Sequence, residues 1–325
     1  MIFVTTIPFF ANSLPAQTPR EDLIAEVKKA DSLYYQAHDY RQAAIIYSRV
    51  HYKYPNLIRW TDEKNTADYW ARAGEPDSAL YYLGLAAASP NNQWYGNMLL
   101  DEDQAALRSD PRWQKAAAMV DNNRFKAHPG LDRQLVHRLD TINYNDQFYR
   151  QQLEEVQTKY GWDSKELKQL RDTINQHDSL DLLYVKDLLD HQGWPAPEVA
   201  SEDGASTVFL VIQHADLATQ QHYLPMMREA VAWGKARGKE LAMLEDRVAI
   251  RTGKRQIYGT QIGTIPSSHR YYVAPLDDPD HVDERRAKVG LQPLAAYVKQ
   301  WQINWDMEQY KKDLPVLELI EKTKK

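Results

Sequence analysis

Residues 205–216 read ASTVFLVIQHAD. From Ala205 to Ala215 this segment is apolar nearly all round, which marks a buried helix or, less favoured, a strand. It closes on Gln213, His214 and Asp216, residues that are costly to place beside buried surface. Working outward, Leu217–Arg237 reads as a long helix ended by Gly238, with Leu217, Gln221, Leu224, Arg228 and Val231 along one stripe. Leu241–Arg251 is a further helix whose apolar face is Leu241, Leu244 and Val248. A helix buried on every side, followed by two amphipathic ones, predicts a mainly α domain.

The helical rhythm breaks at Arg255–Ile262. Period-two alternation and Gly259 predict a strand, paired with Arg270–Ala274 across the GTIPSSH loop. In such a strand Gln256, Tyr258 and Thr260 share one face, and Ile257, Gly259 and Gln261 the other. Asp280–Val289 returns to helix, stopped by Gly290 and followed by Pro293. On the N-terminal side, Arg150–Tyr160 and Ser164–Gln192 read as charged amphipathic helices, the second stopped by Gly193-Trp194-Pro195.

Residues Glu21–Phe125 read as helix after helix, with Ala30, Leu33, Ala37, Tyr40, Ala44 and Tyr47 at helical spacing and Pro55 closing the unit. HDYRQAAIIY has an echo in GEPDSALYYL: Ala43 and Ala79 correspond, an offset of 79 − 43 = 36 residues. This is near the ~34-residue tetratricopeptide period, and the segment resembles such repeats. Leu100–Trp113 is similar to the terminal element that often follows them in bacterial proteins. The Trp and Gly of the full repeat pattern are absent. The alternative is a generic array of helical hairpins. A repeat module implies a concave face for a protein partner, whereas the plainer reading is packing against the rest of the chain. His128–Gly130 (HPG) is the boundary signal.

Hydrophobic residues make up 43% of the 325 and charged ones 26%, as in an ordinary globular protein. A net charge of -5 and the lack of a basic, aromatic-interleaved stripe argue against a nucleic-acid partner. Cysteine is absent, so no disulfide, thiolate nucleophile or cysteine metal site exists. Ile2–Ala11 (IFVTTIPFFA) followed by Ser13–Gln17 (SLPAQ) reads as a secretory signal with a small-residue cleavage site, although no Lys or Arg precedes the run. It is too short for the ~20 residues of a membrane span. The expected arrangement is a signal peptide over 1–16, a tetratricopeptide-like helical domain over 17–127, and a helical domain carrying a small β-hairpin over 128–325. Export, most simply to the periplasm, follows, with no membrane span after signal removal.

Five motifs recur in order: GWP (193–195), QHAD (213–216), EDRV (245–248), YGTQ (258–261) and VDERR…GLQPL (282–294). Together they resemble the uncharacterised bacterial domain family numbered 6624 among domains of unknown function, over roughly Leu139 to Trp301. The resemblance implies a shared fold and a site, and no reaction or cofactor. Asp181 stands where that pattern carries Asn.

Each motif residue has two readings. His214, at the end of the buried helix, is either a satisfied core histidine or a general acid/base beside Asp216. Asp216 is better read as the N-cap of the following helix. Asp246 and Arg247 are adjacent and so do not face each other; they form separate surface ion pairs, or Arg247 grips an anionic ligand with its guanidinium fork. Gln213 and Gln261 orient a polar substrate or bond each other, and Tyr258 stands beside them. The candidate site is therefore His214 as proton carrier, with Gln213, Asp246, Arg247, Tyr258 and Gln261 binding a small polar or anionic ligand. No metal site is expected, because His214 and Asp216 point apart on a helix end and His222, His269 and His281 have no ligand spacing. No nucleophile elbow, phosphate loop or dinucleotide fingerprint occurs. The alternative function is a non-enzymatic interaction module using the repeat-like face.

Overall fold

Alanine at helix contacts sets the first unit. The computed structural model describes residues 18–265 and 268–323, and the chain divides after Ala127. The expected signal at 1–16 lies outside the described residues. Six α-helices follow in order: α1 (Pro19–Tyr35), α2 (Tyr40–Lys53), α3 (Trp60–Arg72), α4 (Pro76–Ala88), α5 (Tyr95–Leu100) and α6 (Pro111–Ala127). Thr18 opens α1 with a capping box completed by Glu21. The helices pack in succession, α1 on α2, α2 on α3, α3 on α4 and α4 on α6. Ala43 on α2 and Ala79 on α4 are both fully buried, since only a small side chain lets neighbouring helices approach. Tyr34 of α1 stacks on Tyr69 of α3 at 4.0 Å.

This unit also has a polar core. Lys64 Nζ lies 2.6 Å from Asp68 and 2.7 Å from Asp101. Gln104 donates to Asp68 at 3.0 Å and accepts from the Trp113 indole at 3.0 Å. These bonds tie α3 to α6 through the short 3-10 turn Glu102–Leu107.

The second unit is built around the segment quoted at the outset. Its helices are α7 (Arg133–Gln151), α8 (Leu153–Tyr160), α9 (Lys165–Gln192), α10 (Pro197–Ala200), α11 (Glu202–His214), α12 (Leu217–Ala232) and α13 (Gly238–Arg251). The apolar α11 is central, packing on α7, α9, α12 and α13, with Val208 and Ile212 fully buried. Gly193 stops α9 by taking a left-handed φ of 72°. The expected stop of α12 at Gly238 is corrected: Gly234 takes φ 71°, Lys235 N–H bonds Ala230 O at 2.8 Å, and Gly238 instead begins α13. The buried face of α12 is also shifted, to Gln220, Tyr223, Leu224, Met227 and Ala230.

The chain closes with β1 (Ile262–Thr264), β2 (Tyr271–Val273), α14 (Val282–Lys288), α15 (Leu294–Tyr297) and α16 (Met307–Thr323). β1 and β2 pair antiparallel, with Gly263 opposite Tyr272. Leu276, Leu294, Val298 and Tyr310 form the small core behind them. The fold is thus mainly α with a small β-hairpin. The strand expected over Arg255–Ile262 forms only at Ile262; before it Gln256 makes a single parallel bridge to Leu276 and the rest is loop. No described helix is long and apolar enough to cross a membrane.

Candidate functional site

The QHAD motif sits where α11 ends and α12 begins. Asp216 caps α12, its carboxylate accepting Thr219 N–H at 2.7 Å. His214 turns the other way. Its Nδ1 lies 2.7 Å from Oδ1 of Asp146 on α7, a carboxyl group only 2% exposed. The expected partner Asp216 is thus replaced by a residue 68 positions upstream. Burial raises the Asp146 carboxyl, but the His214 hydrogen bond and the charges of His214 and Arg150 outweigh it and hold the group below the usual carboxylate range. An ionised Asp146 accepts a hydrogen bond from Nδ1–H, so in the neutral imidazole Nε2 carries the lone pair. Nε2 has no partner among the described residues, and the side chain is 21% exposed.

Arg150, one helical turn after Asp146, bridges two carboxylates. Its Nη1 lies 3.1 Å from Asp146, and its Nη2 bonds both oxygens of Asp178 on α9 at 2.9 and 2.7 Å. Asp146, Asp178 and His214 bring ligand atoms within 4.8 Å of one another, a grouping suited to a divalent cation. Here the Arg150 guanidinium already pairs with both acids. Asp181 is 4% exposed, and burial raises its carboxyl against the Asn145 hydrogen bond.

Two arginines of α13 meet the end of α11. Arg247 Nη1 donates to Gln213 O at 3.0 Å, and Arg251 Nη1 to Ala215 O at 2.8 Å, flanking His214 in sequence. Cations suit a helix C-terminus, which gives both a structural reason to be there. Neither has a carboxylate partner among the described residues, and Arg247 is the one that burial perturbs. Burial lowers its pKa, and the neighbouring charges of Arg251 and Arg150 lower it further. A guanidinium remains charged all the same, so the desolvated group favours an anion.

The other predicted residues serve the fold. Asp246 is fully buried and accepts N–H bonds from Ile257 (2.7 Å), Tyr258 (3.0 Å) and Thr260 (2.9 Å), plus the Thr260 hydroxyl (2.9 Å). Arg286, also fully buried, takes the opposite polarity: Nη1 donates to Tyr258 O at 2.5 Å, and its guanidinium lies 4.8 Å from the Tyr297 ring centroid. Arg285 donates to Ile257 O at 2.9 Å. Gln256 Oε1 accepts Gln261 N–H at 2.8 Å. The backbone donors of Ile257, Tyr258 and Thr260 are thus taken by a side chain rather than by a ladder, which is why no strand forms there. Gly259 completes the loop at φ 71°, with Leu294 methyls 3.1 Å from where a Cβ would lie. EDRV, YGTQ and VDERR are therefore parts of one clamp. Gln213 and Gln261 do meet, both amides reaching Met243 O at 3.5 and 3.3 Å. Tyr258 stands beside Glu245, its hydroxyl raised first by burial and then by that acid.

Asp146, Arg150 and Asp178 were not anticipated. Asp146 and Arg150 share an α7 face at i,i+4 spacing, a faint signal that any surface ion pair would also give. Neither the curated proteins nor the solved structures returned a match to this chain. Residues 129–308, over half of the chain and the whole span of the clamp and the His214 cluster, match the family described as "Family of unknown function (DUF6624)", and the chain belongs to that family.

Proposed function

We propose that the second unit holds a site for a small anionic ligand at the C-terminal end of α11. His214, oriented by Asp146, transfers a proton there, and Arg247 holds the anion. The observation that carries this reading is the buried Asp146 carboxylate 2.7 Å from His214 Nδ1, which fixes the ring and leaves Nε2 to accept a proton. Arg247 supports it, as a desolvated guanidinium with one backbone bond and no acid. Gln213, Asp246 and Gln261 hold the surrounding backbone in place, and Tyr258 stands beside Glu245.

The test is a melting-temperature screen against small carboxylates and phosphates, followed by turnover assays on any hit. Arg247→Ala should abolish the shift, and His214→Gln should keep binding while losing turnover. A panel that shifts nothing, or a hit indifferent to Arg247→Ala, defeats the reading.

A second reading places partner binding on the first unit, read as tetratricopeptide-like. It is favoured by Tyr35, Tyr52 and Tyr81, which are 69%, 89% and 62% exposed. Loss of a captured partner on Tyr52→Ala with Tyr81→Ala would support it; unchanged capture would remove it. Export rests on Ile2–Ala11 and Ser13–Gln17, and N-terminal sequencing of the mature protein decides it.

A further inference from the structure

A second site lies away from His214. A cleft of about 1240 Å3 runs between the start of α8, the outer side of β2, the segment 300–306 and one face of α16. Single small ligands fill ~300–1,000 Å3, so this volume suits an extended ligand of several rings.

Its lining has a consistent chemistry. Trp301 and Trp305 are half-buried and held in place by tyrosines, Trp301 by Tyr297 at 5.0 Å and Trp305 by Tyr310 at 4.9 Å. Tyr271 adds a third ring and is 42% exposed. Gln302 and Asn304 are exposed, and their amides have no partner among the described residues. An amide both donates and accepts, which matches a hydroxyl better than a charge does. Two non-glycine residues in the left-handed region, His269 at φ 54° and Gln302 at φ 58°, also line this cleft. Such conformations persist where surrounding structure enforces them, and they gather at ligand clamps.

Charge and accessibility narrow the ligand class. Asp306 accepts Gln309 N–H and Asp313 the Gln309 amide, so both are engaged. With Glu154 they make three acids against the single arginine Arg270, so the lining is acidic and favours no anionic polymer. A peptide adding as a strand would need the outer edge of β2. Tyr272 and Val273 there are 6% and 2% exposed, which closes that edge. Apolar ring faces beside hydroxyl-matching amides, with carboxylates that also accept from hydroxyls, describe a saccharide without negative charge. We propose that this cleft binds a neutral oligosaccharide, with sugar rings against Trp301, Trp305 and Tyr271 and hydroxyls bonded to Gln302 and Asn304.

The experiment is calorimetric titration of the full chain with cellohexaose, xylohexaose and chitohexaose, and with an acetylated alternating Ala-Lys octapeptide. At least one hexasaccharide should bind saturably. Trp301→Ala removes a stacking face. Gln302→Gly removes an amide while keeping the left-handed backbone, so it tests the site without disturbing the fold. Each should weaken binding by about tenfold. The proposal is overturned if no hexasaccharide binds, if both variants bind as the parent does, or if only the peptide binds.

Discussion

At Asp246 one carboxylate meets four donors from a single loop. Burial raises its pKa, and the backbone N–H groups oppose that rise. Asp246→Asn keeps the shape but turns an NH2 group toward N–H donors, leaving buried groups unpaired. We expect a loss of about 1–3 kcal/mol in urea unfolding; a variant as stable as the parent would show the clamp to be dispensable. The same residue shows what the sequence could reveal. That the EDRV polar pair had work to do was readable, because polar groups near buried surface need partners. Which partners was not, since hydrogen bonds across 11–14 residues of loop leave no periodic trace. His214 is the same case at longer range: its own position was readable, but a partner on α7 is set by helix packing alone.

At the scale of elements, α11 was the clearest reading, its unbroken apolar run leaving one place for it, at the centre. The error in α12 was one of phase: the stripe through Gln221 and Arg228 lies one residue past the buried one. Gln220 is fully buried because its amide bonds Gln213 O at 2.8 Å. The strand misread over Arg255–Ile262 followed from alternation that the side-chain clamp overrides. The hairpin that does form depends on a small residue. A Cβ at Gly263 would lie 2.4 Å from the Tyr272 ring, whose hydroxyl bonds Glu321 on α16. Gly263→Ala should push the ring away, break that bond and loosen α16, costing about 1–3 kcal/mol. Limited proteolysis reads it: faster cleavage within Met307–Thr323 is expected, and an unchanged pattern would mean the ring has room to move.

For the molecule as a whole, pH sensitivity centres on the polar core of the first unit. Burial and the Asp101 carboxylate push Asp68 from 3.8 up to about 7, against Lys64 and Gln104. A carboxyl with a raised folded pKa binds a proton more tightly when folded. Its contribution is complete below 3.8 and is lost as pH climbs to about 7. Melting of the parent relative to Asp68→Asn should therefore gain as pH falls from about 8 to about 5. A difference that stays constant over that range would place Asp68 fully ionised throughout.

The clamp around residues 257–260 joins a loop to the fate of a helix. Its amide hydrogens belong to no ladder, yet those of Ile257, Tyr258 and Thr260 are held by a carboxylate anchored in α13. They can trade with solvent only when α13 releases them, so loop and helix open as one unit. In hydrogen exchange these three amides should keep the slow clock of α13, while the amide of exposed Arg255 runs fast. The loop has the look of a connector and the lifetime of a core.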